Sequence, residues 1–498
     1  SPGPDDFAAY MPAAVAYRLR PAAQVLVLEA RGGLDALVAL EDGAGHVTAI
    51  EPHAIAVEAV REALGSEIGS RLVWAVEDPR SFVRRSAERF DVVQVALTSP
   101  YRPITSGAYS LTEDYLYTIE AFQEMLHHLR DDGLLVATRW LQTPPSESLR
   151  LFALAVTAAE KLGLSPEQSI VAFRGYNSTT VLVKRGEWTE RELAHIRYFA
   201  LTRKFDLVVA PNLRPEEANR HNVLAEDDYY RAFNELLHAV DRQRFYAEYP
   251  FDVAPPTDER PFFGHYFKWA QAGAVWAQLG KTWQPFGGAG YYVLLLLLAF
   301  AVTAAGALIV LPLAIRRRGT VRGHAGRTLF YFALLGLGFL FIEIPLVQRL
   351  ILFVGRPAYA LSAVLFGVLL FSGVGSLLSR RVPWRAAMLA LAVLATIYPG
   401  VLPPLLRGLL GLPLTVRFVV AVLAVAPLGV LMGIPFPKGI AWLEHTAPEL
   451  IPWAWGVNGA MSVIASILAA LIALSAGFST VLVLGATCYV AALIAVSR

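Results

Sequence analysis

The sequence predicts two fold classes in series, a doubly wound α/β domain followed by an all-α polytopic membrane domain. Three observations carry this. Apolar residues make up 55% of the 498, too many for a single soluble domain of that length. The excess lies beyond residue 285, where apolar runs of membrane-spanning length follow one another. Before it, short Val- and Leu-rich runs alternate with helical patterns whose apolar residues fall three and four apart.

The runs at 25–28 (VLVL), 47–50 (VTAI), 72–76 (LVWAV), 92–97 (VVQVAL) and 134–138 (LLVAT) predict strands. Ala54–Leu64 and Tyr115–Leu129 predict helices between them. Such alternation implies a parallel sheet covered on both faces, with its ligand cleft at the carboxyl ends of the strands. Residues 1–165 are expected to form this domain. Residues 166–285 extend it with a strand at NSTTVLVKRG and a helix near Asp227–Val240, and then approach the membrane. In that approach Phe262, Phe263, Tyr266, Phe267, Trp269, Trp276 and Trp283 read as an interfacial aromatic belt. Residues 286–498 form the membrane domain.

Residues 1–285 carry 29 Lys and Arg against 38 Asp and Glu, and residues 286–498 carry 14 against 3. The acidic first part argues against nucleic acid as a partner, since phosphate binding needs clustered positive charge. Cys488, the single cysteine, can form no intrachain disulfide. The opening SPGPDDF has neither Met nor the basic and apolar regions of an export signal, the pattern of a processed or truncated product.

Four loops should meet at the carboxyl edge of the sheet. VLVLEARGGLDAL places Gly32 and Gly33 before a helix whose free N–H groups could face a ligand. AIEP ends the second strand with Glu51, where a carboxylate can accept hydrogen bonds from a ribose diol. VEDPRSF puts Asp78 after the third strand, and VALTSPYRP follows the fourth. Each has a plain local alternative: paired glycines occur in ordinary turns, Glu51 before Pro52 can be a turn residue or cap, and Asp78 before Pro79 can cap a helix. Together, in order and on one edge, they favour a nucleoside site or the descendant of one.

The series VLVLEARGGLDAL, VTAIEP, VEDPRSFV, FDVVQVALTSP and GAYSLTEDYLYTIEAF resembles the polyamine aminopropyltransferase (spermidine synthase-like) family. More narrowly it is similar to the branch fused to many transmembrane helices. FIEIPLVQRLILFVGRPAYAL, LFSGVGSLLS, GIPFPKGI, WAWGVNGAMSVIAS and the stretch TDERPFF continue the likeness. The resemblance implies a Rossmann-like fold of the S-adenosylmethionine-dependent transferase type. It also implies a site for S-adenosylmethionine or its decarboxylated form, with Glu51 on the ribose, Asp78 on the adenine and Asp35 beside the sulfonium and amine end.

This chain departs from that pattern twice. Relatives carry a run near Gly-x-Gly-Gly-Gly in the first loop, and here Glu29 and Arg31 stand at two of those positions, where side chains should collide with a nucleoside. Relatives also end the fourth strand with Asp-Ser-x-Asp-Pro; aligned on Pro100, the two Asp positions are Ala96 and Ser99. Attack by an amine on a sulfonium carbon needs a free lone pair and so a positioned base, and neither residue can take a proton near neutral pH. Glu113 and Asp114 lie downstream, where SLTEDYLY is expected to cap the next helix with Thr112 as N-cap. The expectation is a pseudoenzyme.

Seven apolar spans follow, at about 290–314, 328–354, 357–378, 385–406, 413–435, 453–475 and 478–497. Arginines after the first and third spans and Lys438 after the fifth place those loops in the cytoplasm by the positive-inside rule. The expectation is an integral protein of a bacterial inner membrane, its soluble domain outside the cytoplasm and away from a cytoplasmic cosubstrate. Within the spans, Glu343 in FIEIPLVQR divides evenly between a transport or proton role and a buried structural pair. Asn458 and the SGVGS stretch at 372–376 read as helix packing.

Three functions stay open, in this order: an accessory or scaffold subunit bound to other membrane proteins; an active aminopropyltransferase or other S-adenosyl-nucleoside-dependent transferase; a polyamine or small-solute transporter with a sensing domain.

Overall fold

The computed structural model describes residues 4–64, 71–97, 112–271, 273, 289–316 and 325–497. The chain divides into two compact units, Ser1–Gly290 and Tyr291–Arg498.

The first unit is built on one sheet. Its strands are β1 (Gln24–Leu28), β2 (His46–Ile50), β3 (Leu72–Ala75), β4 (Phe90–Val95), β5 (Leu129–Trp140), β6 (Ile170–Arg174), β7 (Ser178–Lys184) and β8 (Asp206–Val209). Their order across the sheet is β3-β2-β1-β4-β5-β7-β6-β8. The first five in that order are parallel; β7, β6 and β8 join antiparallel. This is a Rossmann-like α/β sheet, and it runs on past residue 165, through three further strands.

Pleating sends alternate side chains to opposite faces. Val25, Val27, Val92 and Leu134 enter one core; Leu26, Leu28, Val93 and Leu135 enter the other. The first core is covered by α1 (Ala14–Leu19), α2 (Leu34–Glu41), part of α3 (Ala54–Leu64) and α7 (Glu190–Arg203). The second is covered by α4 (Pro79–Arg85), α5 (Ile119–His127), α6 (Glu147–Lys161) and α8 (Asp228–His238). A short helix, α9 (Arg242–Glu248), follows. Burial on both faces is why these strands read as continuous apolar runs.

Two expectations are corrected here. The helix predicted at Tyr115–Leu129 spans Ile119–His127, and its N-cap is Thr118, which accepts the Ala121 N–H, not Thr112. The reason is tertiary: Asp114 donates its N–H to the Pro261 carbonyl at 2.6 Å, and Ile119 donates its own to Pro256 at 2.9 Å, so segment 112–118 lies along another strip of chain. The second correction concerns the aromatic belt. Phe262, Phe263, Tyr266 and Phe267 are buried, and Phe263 belongs to the second core of the sheet domain. Trp269 is exposed; Trp276 and Trp283 lie outside the described residues.

Buried arginines explain the inward turn. Arg150 on α6 donates to the carbonyls of Ala254, Phe262, Phe263 and His265 and lies 3.3 Å from Asp252. Asp258 of TDERPFF ties this segment to α4: it lies 3.1 Å from Arg80, 2.8 Å from Arg84, and accepts the Thr118 hydroxyl at 2.7 Å. Glu124 of α5 closes the same cluster against both arginines.

The second unit is all helical: α10 (Ala289–Ala305), α11 (Ala325–Val354), α12 (Pro357–Leu378), α13 (Trp384–Gly408), α14 (Leu414–Met432), α15 (Pro435–Thr446), α16 (Ile451–Ala476) and α17 (Phe478–Ser497). Its described residues contain seven spans long and apolar enough to cross a membrane, which fits an integral membrane protein. α11 packs against α16 and α17, and α12 against α14. Small residues let these backbones approach. A Cβ on Gly375 would run into the Val430 carbonyl, and one on Gly433 into that of Ser372. Asn458 donates to the Phe332 carbonyl across the α11–α16 contact at 3.1 Å. Glu343 is buried on α11, while Arg349 donates to the Ser479 hydroxyl at 2.7 Å.

Candidate functional site

β1 pairs with β2 on one side and β4 on the other, so the chain leaves β1 at the point where the strand order reverses. The turn from β1 into α2 has left-handed backbone at Glu29 (φ +56°), Arg31 (φ +40°) and Gly33 (φ +77°). Gly33 needs to be glycine: a Cβ there would lie 2.8 Å from Val60 Cγ1, whereas one on Gly32 would meet nothing within 4 Å. At Glu29 and Arg31 the turn keeps a conformation that glycine adopts freely, at a cost of roughly 1–2 kcal/mol for each side-chained residue. Their side chains carry opposite charge and face each other at 4.0 Å.

Glu51 holds this turn in place. It follows β2, is 1% exposed, and its two oxygens accept the Arg31 N–H and the His53 N–H, each at 3.0 Å. Asp78 sits at the N-cap of α4, where it accepts the Ser81 N–H at 2.8 Å with Pro79 in the first turn. Burial raises its pKa, and the nearby charge of Glu29 adds to that. Asp35, in the first turn of α2, accepts the Gln94 amide at 2.5 Å; Gln94, on β4, accepts the Tyr17 hydroxyl in turn. Burial pushes Asp35 up to about 6, although the Gln94 bond works against it.

Beyond β4, Ala96 is buried and donates its N–H to the Leu28 carbonyl at 3.1 Å. Ser99 lies outside the described residues. Asp114 returns to this region: one oxygen accepts the Leu116 N–H at 3.1 Å and the other faces Arg139 at 3.5 Å. Burial raises Asp114 above the ordinary carboxylate range against the pull of Arg139, and Glu29 adds to the rise. Burial also raises Glu113 and Glu147. Arg139, near the end of β5, is 1% exposed, lies 3.5 Å from Glu147 and has the Tyr117 ring centroid 3.6 Å from its guanidinium carbon.

The edge therefore brings together Glu29, Arg31, Asp35, Glu51, Asp78 and Asp114, and each described carboxylate there is engaged by groups of the protein itself. The sequence reading missed Arg139, Glu147 and Gln94. Its available signal was polarity out of place: an Arg in LLVATRW and a Gln in VVQVAL, each inside an otherwise apolar strand. Among the described residues no His, Cys, Asp and Glu group could hold a metal ion.

No protein-family model and no curated protein matches the sequence. Among solved structures, the chain is similar to a probable spermidine synthase from Corynebacterium glutamicum at 16% identity, covering 39% of this chain and 71% of that one, with a TM-score of 0.30. It is similar to the spermidine synthase from Thermotoga maritima at 18% identity, 38% and 60% coverage and a TM-score of 0.27. A putative methyltransferase from Escherichia coli matches at 16% identity, 37% and 88% coverage and a TM-score of 0.26. The aligned part thus spans 60% to 71% of the length of these two synthases.

Proposed function

We propose that this protein is a membrane-anchored, spermidine synthase-like pseudoenzyme that serves as an accessory or scaffold subunit of a membrane complex. The observation that carries the reading is Glu51. A ribose diol needs a carboxylate that it can reach at the strand end, and Glu51 is 1% exposed, each of its oxygens already turned to a backbone N–H group. One of those N–H groups belongs to Arg31, whose side chain stands where a nucleoside would need bare backbone.

Residues placed in this way do not fit an S-adenosyl nucleoside. The base position supports the same reading. Ala96 has no ionisable group, and Asp114 is occupied by the Leu116 N–H and Arg139. A unit of this kind keeps the fold for its surface, and the acidic balance of residues 1–285 makes that surface suited to basic partners.

Calorimetric titration of the detergent-purified chain with S-adenosylmethionine, its decarboxylated form and methylthioadenosine tests the reading. The expected result is no heat and no thermal stabilisation at millimolar ligand, with the protein shown to be folded. Micromolar binding of any of the three would overturn it.

A further inference from the structure

A concavity lies beyond the carboxyl end of β5. It has a volume of about 360 Å³ and is formed by the Pro144–Pro145 corner after β5, by α8, and by the end of α9 with Pro250. Two of its lining residues are aromatic: the rings of Phe245 and Tyr249, both half-buried, stack with centroids 5.4 Å apart at 25°. The Tyr249 hydroxyl is fixed to the Pro145 carbonyl at 2.7 Å, which sets the orientation of that ring.

The rim is charged. Asp228, Glu235 and Glu248 supply three carboxylates, and Arg231 one guanidinium. Arg231 is already held by Asp228 at 2.6 Å and Glu226 at 3.6 Å, and Glu248 pairs with Arg244 at 2.8 Å. Among the described residues Glu235 makes no such pair. Aromatic rings and a carboxylate outside these ion pairs, lining one cavity, form an environment for an organic cation, which gains from the ring quadrupole and the negative charge together.

We propose that this cavity is a docking site for a lysine or arginine side chain carried on an extended segment of a protein partner. Charge complementarity selects the cation. The openness of the rim selects a tethered one: Pro144, Arg231, Glu235, Glu248 and Pro250 are exposed, and small-molecule sites bury roughly 70–90% of their ligand. A free amine here would keep much of its water, whereas a side chain arriving on a backbone adds contacts along the rim. The site shares none of the residues named for the candidate site, so it stands or falls apart from the inactive-site reading, which the nucleoside titration decides.

The test uses the full chain in detergent and a fluorescent octapeptide of alternating lysine and glycine, followed by anisotropy at low salt. The double variant Glu235→Gln/Glu248→Gln is compared with Glu58→Gln/Glu62→Gln, two exposed carboxylates on α3 that remove the same charge elsewhere. The expected result is a loss of affinity of about tenfold in the pocket variant and less than about twofold in the control. The glutamine–glycine peptide should not bind, and spermidine should not displace the lysine peptide below millimolar concentration. Equal losses in the two variants would overturn the site, and displacement by micromolar spermidine would overturn the tethered occupant in favour of a free amine.

Discussion

Glu29, Arg31 and Glu51 form a small balance of strain and restraint. Two side-chained residues sit at positive φ, and the Glu51 carboxylate accepts the amide of one of them. Glu51→Ala leaves the amides of Arg31 and His53 without their acceptor and should cost about 1–3 kcal/mol, read as a lower melting temperature of the purified chain. Arg31→Gly removes the left-handed penalty but adds unfolded-chain entropy, so it should stabilise by roughly 0.5–1 kcal/mol, and by more in the Glu51→Ala background, where the strained turn has lost its restraint. Full additivity of the two changes would show that Glu51 does not act through this turn. Asp35 gives a pH signature. Its folded-state pKa lies near 6, above the ordinary 3.8, so the folded chain holds this proton more tightly than the unfolded chain does. The contribution is full below about pH 4 and fades as pH rises through 6, and Asp35→Asn should flatten the thermal stability curve across that window.

At the scale of elements, apolar periodicity made the first five strands and α3 legible in the sequence, with α3 at Ala54–Leu64 as predicted. What periodicity could not show was chain folding back through polar contacts. TDERPFF read as a route toward the bilayer because its prolines and aromatics are compatible with one. The structure spends Asp258 on Arg80, Arg84 and Thr118 instead, partners 140 to 178 residues away in sequence. The same distance hid the start of α5, whose local cap signal at Thr112 gave way to the Thr118 hydroxyl already engaged by Asp258. Asp258→Asn strips one side of a buried cluster and should cost about 3–5 kcal/mol, seen as early proteolysis of the 252–268 segment. For the helices, Gly375→Ala must push α12 and α14 apart and should lower the melting temperature in detergent markedly, while Gly373→Ala, with nothing within 4 Å of its Cβ, should leave it unchanged. Equal behaviour of the two would remove close approach as the reason for these glycines.

For the whole molecule, charge bears on which side of the membrane carries the acidic unit. Positive charge follows the first, third and fifth apolar spans, and the three acidic residues beyond 285 are Glu343, Glu444 and Glu449. By the positive-inside rule we propose that those loops lie in the cytoplasm and the α/β unit on the opposite face. The expectation has chemical content, because a unit away from the cytoplasm has no supply of S-adenosyl nucleosides, and a turn bearing Glu29 and Arg31 then costs the cell no activity. Cys488, the only cysteine, can be changed to Ser to give a background without thiols. Single cysteines then report each face: Tyr176→Cys at an exposed turn of the α/β unit, and Arg381→Cys in the loop between α12 and α13. With a membrane-impermeant maleimide on intact spheroplasts, Tyr176→Cys should label at once and Arg381→Cys only after lysis. The reverse pattern would put the α/β unit in the cytoplasm beside the nucleoside pool, and the side chains of Glu29 and Arg31 in the first turn would then need an explanation other than lost access to ligand.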